Sequence, residues 1–183
     1  MQPKQILDEQ GISRALTRIA HEIVERNKGI HNLVLIGLRS GGDHLARLLG
    51  QQLAAIEGAA PPLGAVDITL YRDDLRHCLG KPVGRTELPC NLDNMHIVLV
   101  DEVIYTGRTL RAALDALMDY GRPASVQVAV LVDRGHRELP LRPDFVGRNL
   151  PTSREETVEV AFNNQDTPEA VWLYPAGNQT PKA

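Results

Sequence analysis

Two cysteines, two phenylalanines and one tryptophan in 183 residues leave several protein classes without raw material. Cys78 and Cys90 lack metal-ligand spacing, and a chain this long builds a core without a staple, so a bridge around Gly80, Pro82 and Gly84 is not expected. A reducing cytoplasm is the default location. No apolar run approaches membrane-spanning length, and the opening "MQPKQILDEQ" lacks the apolar core of a secretory signal. The formal net charge of -3 excludes a globally basic nucleic-acid binder; such a partner requires a local basic face. Chemical motifs are missing as well. There is no G-x-x-x-x-G-K-[ST] loop and no G-x-G-x-x-G turn, His21-Glu22 lacks the second histidine of a zincin helix, and no G-x-S-x-G elbow occurs. The six scattered histidines read as surface or core residues, and no repeat or low-complexity segment is present.

What is there is an α/β pattern rich enough in apolar residues, 43%, for one substantial core. Ile12, Leu16, Ile19 and Ile23 recur at helical spacing and predict an amphipathic helix over 8–26. "NLVLIGL" (32–38), the Gly-rich "RSGGD" and "HLARLLGQQLAAIEG" read as strand, turn and helix. "AVDITLY" (65–71) is a further strand candidate. From 72 to 94 the periodicity dissolves among Asp73, Asp74, Gly80, Pro82, Gly84 and Pro89, which predicts a flexible lid loop. "HIVLVDE" and "SVQVAVLVD" flank the helix "TLRAALDALMDYG"; runs buried on both faces with a helix between them predict parallel neighbours. "TVEVAF" and "AVWLY" are short late strands. One domain over 1–175 is expected, with a disordered tail at 176–183.

Chemistry concentrates in "VLVDEVIYTGRTLRAA" (98–113). Ligands of open parallel sheets bind beyond the carboxyl ends of the strands, and 101–109 occupies such a place. Thr106, Gly107, Arg108 and Thr109 combine backbone N–H groups, two hydroxyls and a helix N-terminus into a cradle for a phosphate. Asp101 and Glu102 would repel that phosphate, so they face another part of the ligand, and sugar hydroxyls suit them, directly or through Mg²⁺. A phosphate with a diol nearby is a phosphorylated ribose. A capped helix start uses the same residue types; the ordered series of strand, acid pair, three-residue spacer, T-G-[KR]-T and helix is what makes the pattern specific.

This stretch resembles the 5-phosphoribosyl-1-diphosphate (PRPP) signature of type I phosphoribosyltransferases. Together with "LDEQGISRALTRIAHEIVERNKG", "DITLYRDDL" and "GRPASVQVAVLVDRGHRELPLRPDFVGRNLPTS", it is similar to the PyrR family of pyrimidine operon attenuators with uracil phosphoribosyltransferase activity, over roughly residues 6–160. The resemblance implies a type I phosphoribosyltransferase fold: a central, mostly parallel sheet flanked by helices, with a lid and a small hood. It implies that uracil and PRPP give UMP and pyrophosphate with Mg²⁺, and that the family assembles as dimers or larger. Asp101 and Glu102 would hold the ribose or its metal, and 106–109 the 5-phosphate beside the spacer Val103, Ile104 and Tyr105. Arg72 would reach the pyrophosphate, as would the loop at Ser40 and Gly41; Arg134 and the surroundings of Val158 would line the base pocket.

Two positions depart from the family's pattern. The second acid is usually Asp, and Glu102 carries one more methylene, displacing its carboxylate by about 1.5 Å. PyrR proteins commonly have Arg where this chain has Gly41, with Arg39 close by. Nucleotide binding with reduced turnover is therefore expected.

A basic face runs along the first helix, where Arg14, Thr17, Arg18 and His21 gather opposite the apolar stripe and Arg26 and Lys28 extend it. His136, Arg137, Arg142 and Arg148 form a second group. Any amphipathic helix turns polar residues outward; the resemblance implies that both groups grip attenuator mRNA, with UMP as effector. Arg and Lys would meet phosphates, and with few aromatics the surface is no RRM-like platform. Three functions stay open at this point: an RNA-binding regulator with a uracil phosphoribosyltransferase site, a phosphoribosyltransferase for another base without RNA binding, and a nucleotide sensor that has lost catalysis.

Overall fold

A computed structural model describes residues 2–39, 41–73 and 84–177. Five parallel strands form the central sheet: β2 (Leu33–Leu38), β3 (Leu63–Val66), β4 (His96–Ile104), β5 (Ser125–Asp133) and β6 (Phe145–Asn149), in the order β3-β2-β4-β5-β6. A smaller antiparallel sheet, the hood, joins β1 (Lys4–Asp8), β8 (Pro168–Tyr174) and β7 (Thr157–Phe162) in that order. Among the described residues three α-helices flank the sheets: α1 (Glu9–Asn27), α2 (Gly42–Glu57) and α3 (Arg108–Met118).

Alternation along β2 shows why its run is apolar throughout. Leu33 and Leu35 pack with α1 and α2 on one face, while Val34, Ile36 and Leu38 pack with α3 on the other. Ile12, Ile19 and Ile23 of α1 are buried to 2% exposure or less, each stabilising the docked helix by about 2 kcal/mol. Asp8 caps α1, accepting from the Gly11 N–H at 2.7 Å. Asn27 and Gln127 exchange amide hydrogen bonds of 3.0 and 2.8 Å, tying the end of α1 to β5.

Several expectations shift. "AVDITLY" is a strand only to Val66; Asp67 then accepts from the Thr69 N–H at 2.8 Å, and a 3₁₀ turn, Thr69–Tyr71, follows. β4 runs on to Ile104, so the acid pair lies within the strand rather than at its end. β1 and β6 were not foreseen. Of the lid loop, 74–83, with Asp74, Cys78, Gly80 and Pro82, lies outside the described residues, as do Ser40 and 178–183. Residues 84–94 return along the sheet, where Glu87 bridges Ala65 and Leu92 is fully buried. Cys90 is an exposed free thiol. Among the described residues, no helix is long and apolar enough to cross a membrane.

Candidate functional site

Strand order reverses between β2 and β4: β2 leads through α2 to β3 on one side, and β4 through α3 to β5 on the other. Loops diverging from neighbouring strands leave a crevice above their carboxyl ends. There a cleft of about 320 Å³ opens, lined by Arg72, Asp101, Val103, Ile104, Tyr105, Thr106, Gly107, Arg108, Thr109, Leu110 and Glu138. Nine of these were expected from the sequence; Leu110 and Glu138 were not. Leu110 opens the helical stripe and Glu138 is one acid in a polar loop, so neither carried a motif.

Gly107 has φ 90°, a conformation that favours glycine, and it turns the chain from β4 into α3. The N-cap Gly107 has no side chain to cap α3; the Thr106 hydroxyl accepts from the Arg108 N–H at 3.4 Å, at the helix end that borders the cleft. Arg72 donates to the Thr109 hydroxyl at 3.3 Å, and its charge favours the ionised form of Asp101. Arg108, at the cleft with Glu138, bonds Glu138 and Asp73 at 2.7 Å each, which raises its already high pKa.

The acid pair divides. Asp101 lines the cleft, with its Oδ1 accepting from the Glu102 N–H at 2.9 Å. Glu102 does not line it and packs over Gly41 instead. Burial pushes both carboxyls up; for Glu102, far above its usual range, the neighbouring Asp101 and Asp43 charges add to the effect.

Behind the cleft, Arg134, His136 and Arg137 make a set of internal contacts that the sequence did not show. Arg134 is buried at 7% exposure and does not line the cleft. It donates to the Thr152 hydroxyl and to the Ser153 and Glu156 carbonyls, and lies 4.1 Å from the centre of the Tyr105 ring. His136 bonds the Thr152 carbonyl at 2.6 Å and stands edge-on to Tyr105. Arg137 donates to the carbonyls of Tyr105 at 2.7 Å and Leu141 at 2.9 Å and pairs with Asp133 at 2.6 Å. His136 and Arg137, both half-buried, thus tie the Tyr105 turn to the segment around Thr152. Val158 packs against the α1–α2 side of the core.

A phosphoribosyl transferase domain model matches residues 2–164. The bifunctional protein PyrR of Geobacter sp. (strain M21) is 60% identical over 92% of this chain and 96% of its own. That of Bacillus subtilis (strain 168) is 51% identical over 92% and 95%. The chain belongs to the PyrR family of phosphoribosyltransferases. Its fold is shared with the hypoxanthine phosphoribosyltransferase of Trypanosoma cruzi (TM-score 0.70, 22% identity, 94% of this chain and 97% of that one). A hypoxanthine phosphoribosyltransferase from Staphylococcus aureus has the same fold, at TM-score 0.64, 16% identity and coverage of 82% and 79%.

The basic face of this PyrR chain lies away from the cleft. Arg14, Thr17, Arg18 and His21, with Ser13, line a shallow open concavity along α1. α1 runs against β6: Arg26 pairs with Asp144 at 2.8 Å beside Phe145, while Arg18 donates to the Val146 and Gly147 carbonyls at 2.9 and 2.7 Å. Arg148 and Arg142 are exposed in and before the same strand; Phe145 and Gly147 of β6 face α1, so Arg148 alternates to the other side. Lys28 sits at the C-cap of α1 in the left-handed region.

Proposed function

We propose that this chain regulates pyrimidine biosynthesis by binding attenuator mRNA in a UMP-dependent way, and that it carries a uracil phosphoribosyltransferase site. The observation that supports this reading best is the anion cleft over 101–109, in a chain 60% identical to a bifunctional protein PyrR. In this reading the ligand's 5-phosphate takes first-turn N–H groups of α3 with the Thr106 and Thr109 hydroxyls. Asp101 accepts from the ribose hydroxyls, Arg72 reaches toward the pyrophosphate, and the Arg134–Tyr105 stack shapes the base pocket.

For transfer, the bond from ribose C1 to pyrophosphate breaks while uracil N1 bonds to C1 and gives up its proton. The residues position the reactants and stabilise charge as the carbon becomes oxocarbenium-like. Mg²⁺ fits this donor set: Asp101 is one hard oxygen ligand facing the cleft, and PRPP and water would supply the rest. When bound, the ion neutralises charge on the departing pyrophosphate. UMP in the same cleft is the effector for RNA. The chain works in the cytoplasm as a homo-oligomer, and its turnover is reduced by Glu102 and Gly41.

Steady-state assays with PRPP and a panel of pyrimidine and purine bases test the enzymatic half. Uracil should be the base consumed, slowly. Preferential use of a purine contradicts the assigned base, and ordinary efficiency with uracil contradicts the reduced turnover.

A further inference from the structure

α3 presents two arginines one turn apart, Arg108 and Arg111, and both reach the segment that carries Arg72. Arg111 donates to the Tyr71 carbonyl at 2.8 Å, and Arg108 donates to the Asp73 carboxylate at 2.7 Å. The residues on either side of Arg72 are therefore both held by the helix. Asp115, a turn beyond Arg111, accepts from it at 2.7 Å and sets the direction of its guanidinium. A third tie comes from the far end of α3, where the Tyr71 hydroxyl donates to the C-cap Asp119 at 2.5 Å. Between these ties Arg72 leaves the 3₁₀ turn with an extended backbone, φ -76° and ψ 139°. Its side chain lines the cleft and donates to the Thr109 hydroxyl at 3.3 Å. Arg111, Tyr71 and Asp119 do not line the cleft. The Arg111–Asp115 pair is half-exposed, and pairs of that kind add little to stability.

We infer that Arg111, with the Tyr71–Asp119 pair, is a positioning residue for Arg72, fixing the chain at 71–73 so that the Arg72 guanidinium meets the diphosphate of PRPP. The inference rests on the phosphoribosyl reading of the cleft, in which Arg72 reaches the pyrophosphate. Arginine has many rotamers, and anchoring its backbone on a rigid helix lowers the entropy lost when it engages a ligand. α3 then does two jobs for one ligand. Its first turn takes the 5-phosphate, and its 108–111–115–119 stripe sets the arm for the leaving group at a fixed distance from that phosphate. UMP has no pyrophosphate and draws on the first job alone.

A double-mutant cycle of Arg111→Met and Arg72→Ala, read by calorimetric Kd for PRPP with Mg²⁺ and for UMP, tests the coupling. Arg72→Ala should weaken PRPP by about tenfold or more, and Arg111→Met by about fivefold, with UMP changed less than about twofold by Arg111→Met. In the Arg72→Ala background Arg111→Met should cost PRPP less than about twofold, because the residue it positions is gone. If Arg111→Met does not fold, Tyr71→Phe, which deletes only the hydroxyl, takes its place in the cycle and should weaken PRPP by about threefold. A merely structural role would weaken PRPP and UMP alike, and that result overturns the inference. An equal loss of PRPP affinity with and without Arg72, or PRPP affinity unmoved by either variant, overturns it too. Should Arg72→Ala leave PRPP affinity at the parent value, or the parent chain bind no PRPP, the reading of the cleft fails first and the positioning role falls with it.

Discussion

Burial charges a free-energy cost for every ionised carboxyl, and Asp101 and Glu102 incur it a peptide bond apart. Their folded pKa values lie above the ordinary 3.8 and 4.5. The folded chain therefore keeps protons that the unfolded chain releases, and stability falls as pH rises from the ordinary carboxylate range through the folded values. Glu102→Gln is neutral throughout and escapes the Glu102 part of that loss. Its melting temperature at pH 8 should exceed the parent's by about 3 °C, the shift that roughly 1 kcal/mol gives in a domain of this size. The gap should close below pH 4. A gap independent of pH, followed by thermal melts across the range, would show that the Glu102 carboxyl does not carry the cost.

Among elements, the segment 133–141 does more than connect β5 to β6. Thr106 accepts from the Glu138 and Leu139 N–H groups, and Arg137 clamps the Tyr105 carbonyl from behind. Arg137→Ala leaves the Asp133 carboxylate and three carbonyls without that donor. It should cost about 2 kcal/mol of stability and weaken UMP at least tenfold by calorimetry, because the turn at Tyr105 loses its brace. Unchanged UMP affinity would contradict the bracing role. The basic side chains proposed to meet RNA behave differently. Arg14→Ala and Arg148→Ala should each weaken RNA binding by about 1 kcal/mol and lower the salt slope by about one unit, with UMP affinity unaltered. Filter binding across a salt series reads both quantities, and an unchanged slope would remove these residues from the interface.

Over the whole molecule, legibility followed how local each interaction is. β2, β4 and β5 were readable because both their faces are buried and their runs stay apolar without interruption. β1 is only partly buried and owes its form to pairing with β8, some 160 residues later, so nothing local announced it. β6 is an edge strand holding Gly147, preceded by Pro140 and Pro143, and it read as loop. The cleft was legible as a motif because most of its lining, within 101–109, is continuous in sequence. Its rear wall was not: Arg134, His136 and Arg137 look like outward-facing basic residues until Thr152, Tyr105 and Asp133 are brought to them. The contact of Gly41 with Glu102 spans 61 positions and depends on β2 lying beside β4.

That architecture sets the cleft and the basic face on different parts of one domain, with β5, the 133–141 segment and β6 running between them. Regulation requires that occupancy of one change affinity at the other, by the same factor in both directions. The central claim is tested most directly by binding of the chain to leader RNA from a pyrimidine operon, with and without saturating UMP, at several salt concentrations. UMP should tighten the complex at least tenfold at each salt concentration, with affinity falling steeply as salt rises. RNA affinity that is the same with and without UMP would contradict the account.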